Sequence, residues 1–186
     1  MSRVIKKILA GILGRKGQLP ILTGPLRGMR FSIDPLSNLG DLLSTRREPY
    51  LQRALRRYLK PGDVVFDVGA NWGFFTLYMS QLVGSQGSVI ALEPVPFTAA
   101  ILLRNLQANH ISNVEVIQKA VSSDEGNRCI RIPEGGEGHP MASINWHKVD
   151  PDVIEITVKT ISLDTFCSMR ALDAYSGERE HSIRPS

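Results

Sequence analysis

The run Val64–Val68 (VVFDV) and the turn Gly69–Gly73 (GANWG) that follows it constrain this chain more than any other feature. A short, nearly continuous apolar run bounded by a glycine turn predicts a parallel strand buried on both faces. Phe74–Val83 then reads as a helix, closed by Gly84 and Gly87. Ser88–Leu92 (SVIAL) repeats the buried-strand pattern and ends at Glu93-Pro94. Pro96–Asn109 reads as a second helix, with Phe97, Ile101, Leu102 and Leu106 available for its buried face. Val114–Val121 (VEVIQKAV) reads as a third strand. Strand, helix, strand, helix, strand in that order predicts an α/β fold with a parallel sheet and right-handed crossovers.

The flanks are less regular. Gly24–Asp34 predicts a turn and a short strand in which Met29, Phe31 and Ile33 alternate. Glu48–Leu59 predicts a helix with Leu51, Leu55 and Leu59 on one face, ended by Pro61-Gly62. Arg128–Pro133 and Glu155–Ile161 alternate like a strand pair, with a Gly- and Pro-containing loop from Glu134 to Asp152. Asp164 can cap a short helix running through Tyr175, and Ser176–Ser186 reads as unstructured. The expected organisation is a basic amphipathic segment over 1–23, a partial domain over 24–175 and a tail over 176–186.

The chain has 186 residues with 42% apolar side chains, which suits one packed domain. The net charge of +4 is modest and local. One cluster is Arg3, Lys6, Lys7, Arg15 and Lys16; the other is Arg46, Arg47, Arg53, Arg56 and Arg57. Both read as solvated helix faces, so no nucleic-acid partner is expected. Val4, Ile5, Ile8, Leu9, Ile12 and Leu13 recur at helical spacing among the first cluster. Residues 3–16 therefore make a short basic amphipathic helix, suited to weak peripheral contact with an anionic membrane or to packing on its own domain. No stretch is long and apolar enough to span a bilayer, and Lys6 and Lys7 interrupt any signal-like run. Cys129 and Cys167 form no CxxC pair, and the four histidines are scattered. No metal site is expected, and free thiols in a cytoplasmic protein are the default.

The chemistry lies in Asp67-Val68-Gly69-Ala70-Asn71-Trp72-Gly73, a strand end opening into a helix. Gly69 permits a sharp turn and close approach of backbone to a ligand, and Gly73 permits close helix–strand packing. Asp67 stands at the carboxyl end of the first strand, where open α/β sheets bind ligands. Its carboxylate can meet a cationic amino group or hold the N–H groups of the turn. Glu93 follows Gly73 by about 20 residues, the place from which an acid hydrogen-bonds ribose hydroxyls. Dinucleotide sites use GxGxxG so that a pyrophosphate sits on a helix N-terminus. Here GANWG lacks the second of those glycines and Asp67 precedes the loop. An acid there repels pyrophosphate and suits the ammonium of a methionine moiety, which favours S-adenosyl-L-methionine.

At this point the segment from Val64 to Asn109 resembles the core of FkbM-type methyltransferases. The resemblance runs through the aspartate–valine–glycine–alanine–asparagine turn, Phe75-Thr76, Glu93-Pro94, Arg104-Asn105 and Asn109. It continues in Asn113–Gly126 and Ile156–Phe166, and covers about Gly24 to Phe166. It implies a Rossmann-like class I methyltransferase fold and O-methylation of a hydroxyl on a sugar or secondary metabolite, so the partner is a small-molecule or glycan acceptor. Asp67, Gly69, Ala70, Asn71 and Gly73 would line the methionine end of the cofactor. Glu93 would hold the ribose, Ala120 and Val121 would border the adenine, and Glu48 would close over the cofactor or serve as the acid at a helix N-terminus. The family's fourth strand, with its Lys-Ile-Asp-Val-Glu-Gly motif, has no counterpart after Leu163-Asp164. The expectation is a sheet lacking its C-terminal half, Val64–Val68 as an open apolar edge, and no assignable catalytic base. The alternative is a truncated, inactive cofactor-binding fragment. Neither the acceptor nor the oligomeric state is legible.

Overall fold

The computed structural model describes residues 18–21, 23–32, 48–133 and 153–169. The expected N-terminal helix, the 134–152 loop and the chain beyond Met169 lie outside them.

Three strands, β3 (Val64–Val68), β4 (Ser88–Leu92) and β5 (Val114–Ile117), form a parallel sheet in the order β3-β4-β5. Its register runs from Val64 opposite Ser88 and from Val89 opposite Val114. Two short strands precede it, β1 (Gln18–Pro20) and β2 (Arg30–Ser32), paired antiparallel as a hairpin. Helix α1 (Pro49–Tyr58) leads into the sheet, and α2 (Phe74–Val83) and α3 (Pro96–Ala108) cross over between its strands.

Strand alternation assigns the faces. Val65, Val89 and Val114 pack with Leu55 and Leu59 from the α1 region and with Phe75, Met79 and Val83 of α2. Ala91 and Val116 meet Leu102 and Leu106 of α3. Burying a leucine such as Leu102 fully is worth about 1.5–3 kcal/mol. Phe66, Ile90, Leu92 and Ile117 point to the opposite face. There they pack on Ile161, Leu163 and Phe166, from the end of β8 (Val153–Ile161) and from α4 (Leu163–Met169).

The third predicted strand is corrected. Val114–Val121 divides into β5 and a separate two-residue strand, β6 (Ala120–Val121), parallel to β8. Polar Gln118 and Lys119 break the apolar run, and a tight turn from Lys119 N–H to the Ile117 carbonyl redirects the chain. The expected strand pair is present as β7 (Gly126–Pro133) antiparallel to β8, giving a second sheet in the order β6-β8-β7. Asn113 ties the layers together. Its amide donates to the Gly84 carbonyl at 2.8 Å and to the Ser80 carbonyl at 3.2 Å, capping the end of α2, while its own carbonyl accepts from Val89 N–H.

Among the described residues β3 has no partner on its outer edge, and Val64 and Val68 are half-exposed. Arg53, Arg56 and Arg57 lie on exposed positions of α1, with Arg53 over the Tyr50 ring and Arg57 over the Tyr58 ring. No described helix is long and apolar enough to cross a membrane.

Candidate functional site

The loops at the carboxyl ends of β3 and β4 meet. Gly69 N–H and Ala70 N–H both donate to the Leu92 carbonyl, at 2.9 and 3.1 Å. Asn71 N–H donates to Glu93 Oε2 at 2.8 Å, and Val95 N–H to Glu93 Oε1 at 3.0 Å. Trp72 N–H donates to Asn71 Oδ1, and Gly73 N–H to the Ala70 carbonyl. Every backbone N–H from Gly69 to Gly73 is thus used inside the protein. None is left to cradle a phosphate, the group a dinucleotide loop exists to hold.

The two acids divide the work differently from the simplest reading of the sequence. Glu93, buried, clamps the turn's N–H; Asp67 turns to Thr76, whose hydroxyl donates to Asp67 Oδ2 at 2.5 Å. Burial pushes the carboxyl of Asp67 above its usual range, partly offset by that hydroxyl. Burial also raises Glu93, against the lowering from the Val95 and Asn71 amides, and nearby Asp67 raises it further. A carboxylate offers about four acceptor positions. Glu93 spends one per oxygen on backbone N–H groups.

The glycines differ in purpose. Gly69 has φ +79°, and a Cβ there would meet nothing within 4 Å, so the space beside the turn is open. Gly73 has φ +95°, and a Cβ would fall 2.3 Å from Leu102 Cδ1. The close packing expected of Gly73 is therefore against helix α3, not a strand. Asn71 holds φ 53°, a conformation asparagine tolerates better than most residues.

Ala120 is buried in β6 and shares an apolar cluster with Val95, which puts it beside the loop after β4. Glu48 stands exposed at the N-cap of α1 with φ 45° and no side-chain capping bond. A depression of about 390 Å³, lined by Val64, Ser88, Ile90, Val114 and Glu115, lies at the amino ends of the strands, away from these loops. Open α/β sheets do not bind ligands at that end.

Three features went unread in the sequence: the Glu93 clamp, the Asn113 cap, and the pairing of Asn105 and Asn109 with β2. Asn105 and Asn109 sit four apart on one helix, a spacing that signals a shared face, but their partners are backbone groups more than 70 positions away.

The fold is that of class I, S-adenosylmethionine-dependent methyltransferases, represented by three parallel strands with their crossover helices. S-adenosylmethionine is the cofactor of that class. The family described as protein-L-isoaspartate(D-aspartate) O-methyltransferase matches residues 43–124. Protein-L-isoaspartate O-methyltransferase 1 of Arabidopsis thaliana is 30% identical over 108 residues, 56% of this chain and 44% of that protein. The 31-O-demethyl-FK506 methyltransferase FkbM of Streptomyces tacrolimicus is 39% identical over 94 residues, 49% of this chain and 35% of that protein. The chain thus spans less than half the length of these relatives. A solved S-adenosylmethionine-dependent methyltransferase from Aquifex aeolicus is 28% identical over 38% of this chain and 37% of that chain, with a TM-score of 0.35.

Proposed function

We propose that this chain is the cofactor-binding part of an S-adenosylmethionine-dependent methyltransferase of the FkbM type, acting on a hydroxyl of a small molecule or glycan. The observation that carries the cofactor assignment is the Gly69–Gly73 loop. Its N–H groups are all occupied, and two acids flank it, Glu93 buried and Asp67 partly buried. Such a site disfavours a pyrophosphate and accepts a cationic, sugar-bearing ligand. In this reading Glu93 takes the ribose hydroxyls with its remaining acceptor positions. Asp67 and Asn71 face the methionine end, Gly69, Ala70 and Gly73 shape the turn around it, and Ala120 borders the adenine. Glu48 closes the site from the side of α1.

When bound, S-adenosylmethionine supplies an activated methyl group on a sulfonium. The residues named here bind and orient it; orientation is the larger part of what such an enzyme must provide. None of them is assigned as a base for the acceptor.

The FkbM-type reading rests on the shared motifs and on 39% identity to that relative. The match to the isoaspartate methyltransferase family supports a second reading, methylation of a carboxyl on protein. Calorimetric titration with S-adenosylmethionine, with NAD as control, tests the cofactor. Saturable binding of the first alone supports the proposal; preferential NAD binding sinks it. Transfer of a labelled methyl group separates the acceptors. An ether product survives mild base, whereas a carboxyl methyl ester is lost.

A further inference from the structure

Asn105 and Asn109 lie one turn apart on α3 and hold the backbone of β2 from the edge that β1 does not use. Asn109 Oδ1 accepts from Arg30 N–H at 2.8 Å, and its amide donates to the Arg30 carbonyl at 2.7 Å, as a neighbouring strand would. Asn105 Oδ1 accepts from Ser32 N–H at 2.6 Å. Its amide points the other way and donates to the Trp72 carbonyl at 2.8 Å. Asn105 is completely buried. At this length only asparagine presents a donor and an acceptor from one rigid planar end.

The bond to Trp72 extends a continuous series. Trp72 N–H donates to Asn71 Oδ1, and Asn71 N–H donates to Glu93 Oε2. A second link runs beside it: the Phe31 ring of β2 meets the Trp72 indole edge-on at 5.7 Å, both within one buried cluster. The β1–β2 hairpin therefore meets the ring of Trp72 directly, through Phe31, and the carbonyl of Trp72 only through Asn105.

We infer that Asn105 is a positioning residue for the Gly69–Gly73 loop, and that through it the β1–β2 hairpin is a latch whose docking and whose release change the cofactor site. Only the identity of the ligand rests on the function proposed above. By linkage, a ligand that favours the ordered loop must favour the docked hairpin by the same factor.

The test has a ligand-free arm and a ligand arm, both on the full chain with Trp146→Phe so that Trp72 is the sole tryptophan. Asn109→Ala removes both bonds to Arg30 and the bond from the Asn109 amide to the Asn105 carbonyl, and touches no loop residue. It is expected to raise both amide exchange at Arg30 and quenching of Trp72 by acrylamide. Faster exchange with unchanged Trp72 quenching would overturn the latch. Asn105→Asp keeps the acceptor for Ser32 N–H and removes the donor to the Trp72 carbonyl. In folded protein it is expected to weaken S-adenosylmethionine binding about ten-fold at pH 8, the scale of one buried hydrogen bond. The deficit relative to the parent should shrink as falling pH protonates the introduced carboxyl, whose O–H then donates to Trp72. Parent-like affinity at pH 8 overturns the positioning role. In the parent, the ligand should slow exchange at Ser32. If the parent binds no S-adenosylmethionine, the cofactor reading fails and the ligand-free arm alone decides the latch.

Discussion

Glu93 and Asn71, 22 positions apart in sequence, are joined by a 2.8 Å hydrogen bond from the Asn71 N–H to the Glu93 carboxylate, across the ends of two adjacent parallel strands. The same carboxylate receives Val95 N–H. One acid thus fixes both loops of the site before any ligand arrives.

Glu93→Ala should therefore act twice. Two backbone N–H groups lose their acceptor, which should cost about 1–3 kcal/mol of stability. Loss of the proposed ribose contacts should cost about 1.5–3 kcal/mol in S-adenosylmethionine binding. Denaturant unfolding and calorimetry read the two separately. A folded variant with unchanged affinity removes Glu93 from the ribose assignment.

Asp67→Asn has a signed pH dependence. Burial raises the Asp67 carboxyl above its ordinary 3.8, so the folded state binds a proton more tightly than the unfolded state. That contribution is favourable below 3.8 and is lost as pH rises through the raised folded value; above it, the buried charge is a burden. The asparagine carries no such charge and can still accept from Thr76. The variant should be more stable than the parent at neutral pH, with the gap closing on acidification, while its cofactor binding weakens. Urea midpoints at several pH values check the sign, and a gap that widens toward acid contradicts it.

The two turn glycines should separate under substitution. Gly73→Ala meets both a left-handed backbone and Leu102, and should cost about 2–4 kcal/mol through backbone strain and overpacking. Gly69→Ala meets only the backbone penalty, about 1–2 kcal/mol, because its Cβ enters open space. On the proposed function the ligand occupies that space, so Gly69→Ala should lose more affinity than stability. Equal thermal losses for both variants would argue against the packing contrast.

Among the described residues the outer edge of β3 is unpaired, with Val64 and Val68 half-exposed beside it, and such an edge invites pairing. Val68→Lys should reduce concentration-dependent light scattering and change stability by less than about 1 kcal/mol, as exposed substitutions do. Scattering that persists unchanged places the association elsewhere.

The parallel core was legible because its signals are local. Val64–Val68, Phe74–Val83 and Ser88–Leu92 follow from apolar runs punctuated by Gly69, Gly73, Gly84 and Gly87, and the structure gives the same bounds. What escaped reading depends on distant partners. The break after Ile117 reflects a second sheet that captures Ala120 and Val121 through β8, some 40 residues on. An acid at position 93 was legible, but not that its oxygens hold Asn71 and Val95, since any nearby N–H satisfies a carboxylate equally well. Asn105 and Asn109 were legible as motif positions of the resembled family, but their partners were not, because a backbone partner leaves no trace in the side-chain pattern.

The order β3-β4-β5 follows the order of synthesis. Each new strand joins the one made just before it, across a single helix, so the entropy of closing each connection is small. Among the described residues, the last of the three parallel strands ends at Ile117. On a ribosome these three strands can pair while later residues are still untranslated, so vectorial folding of this half can begin without waiting for a distant strand.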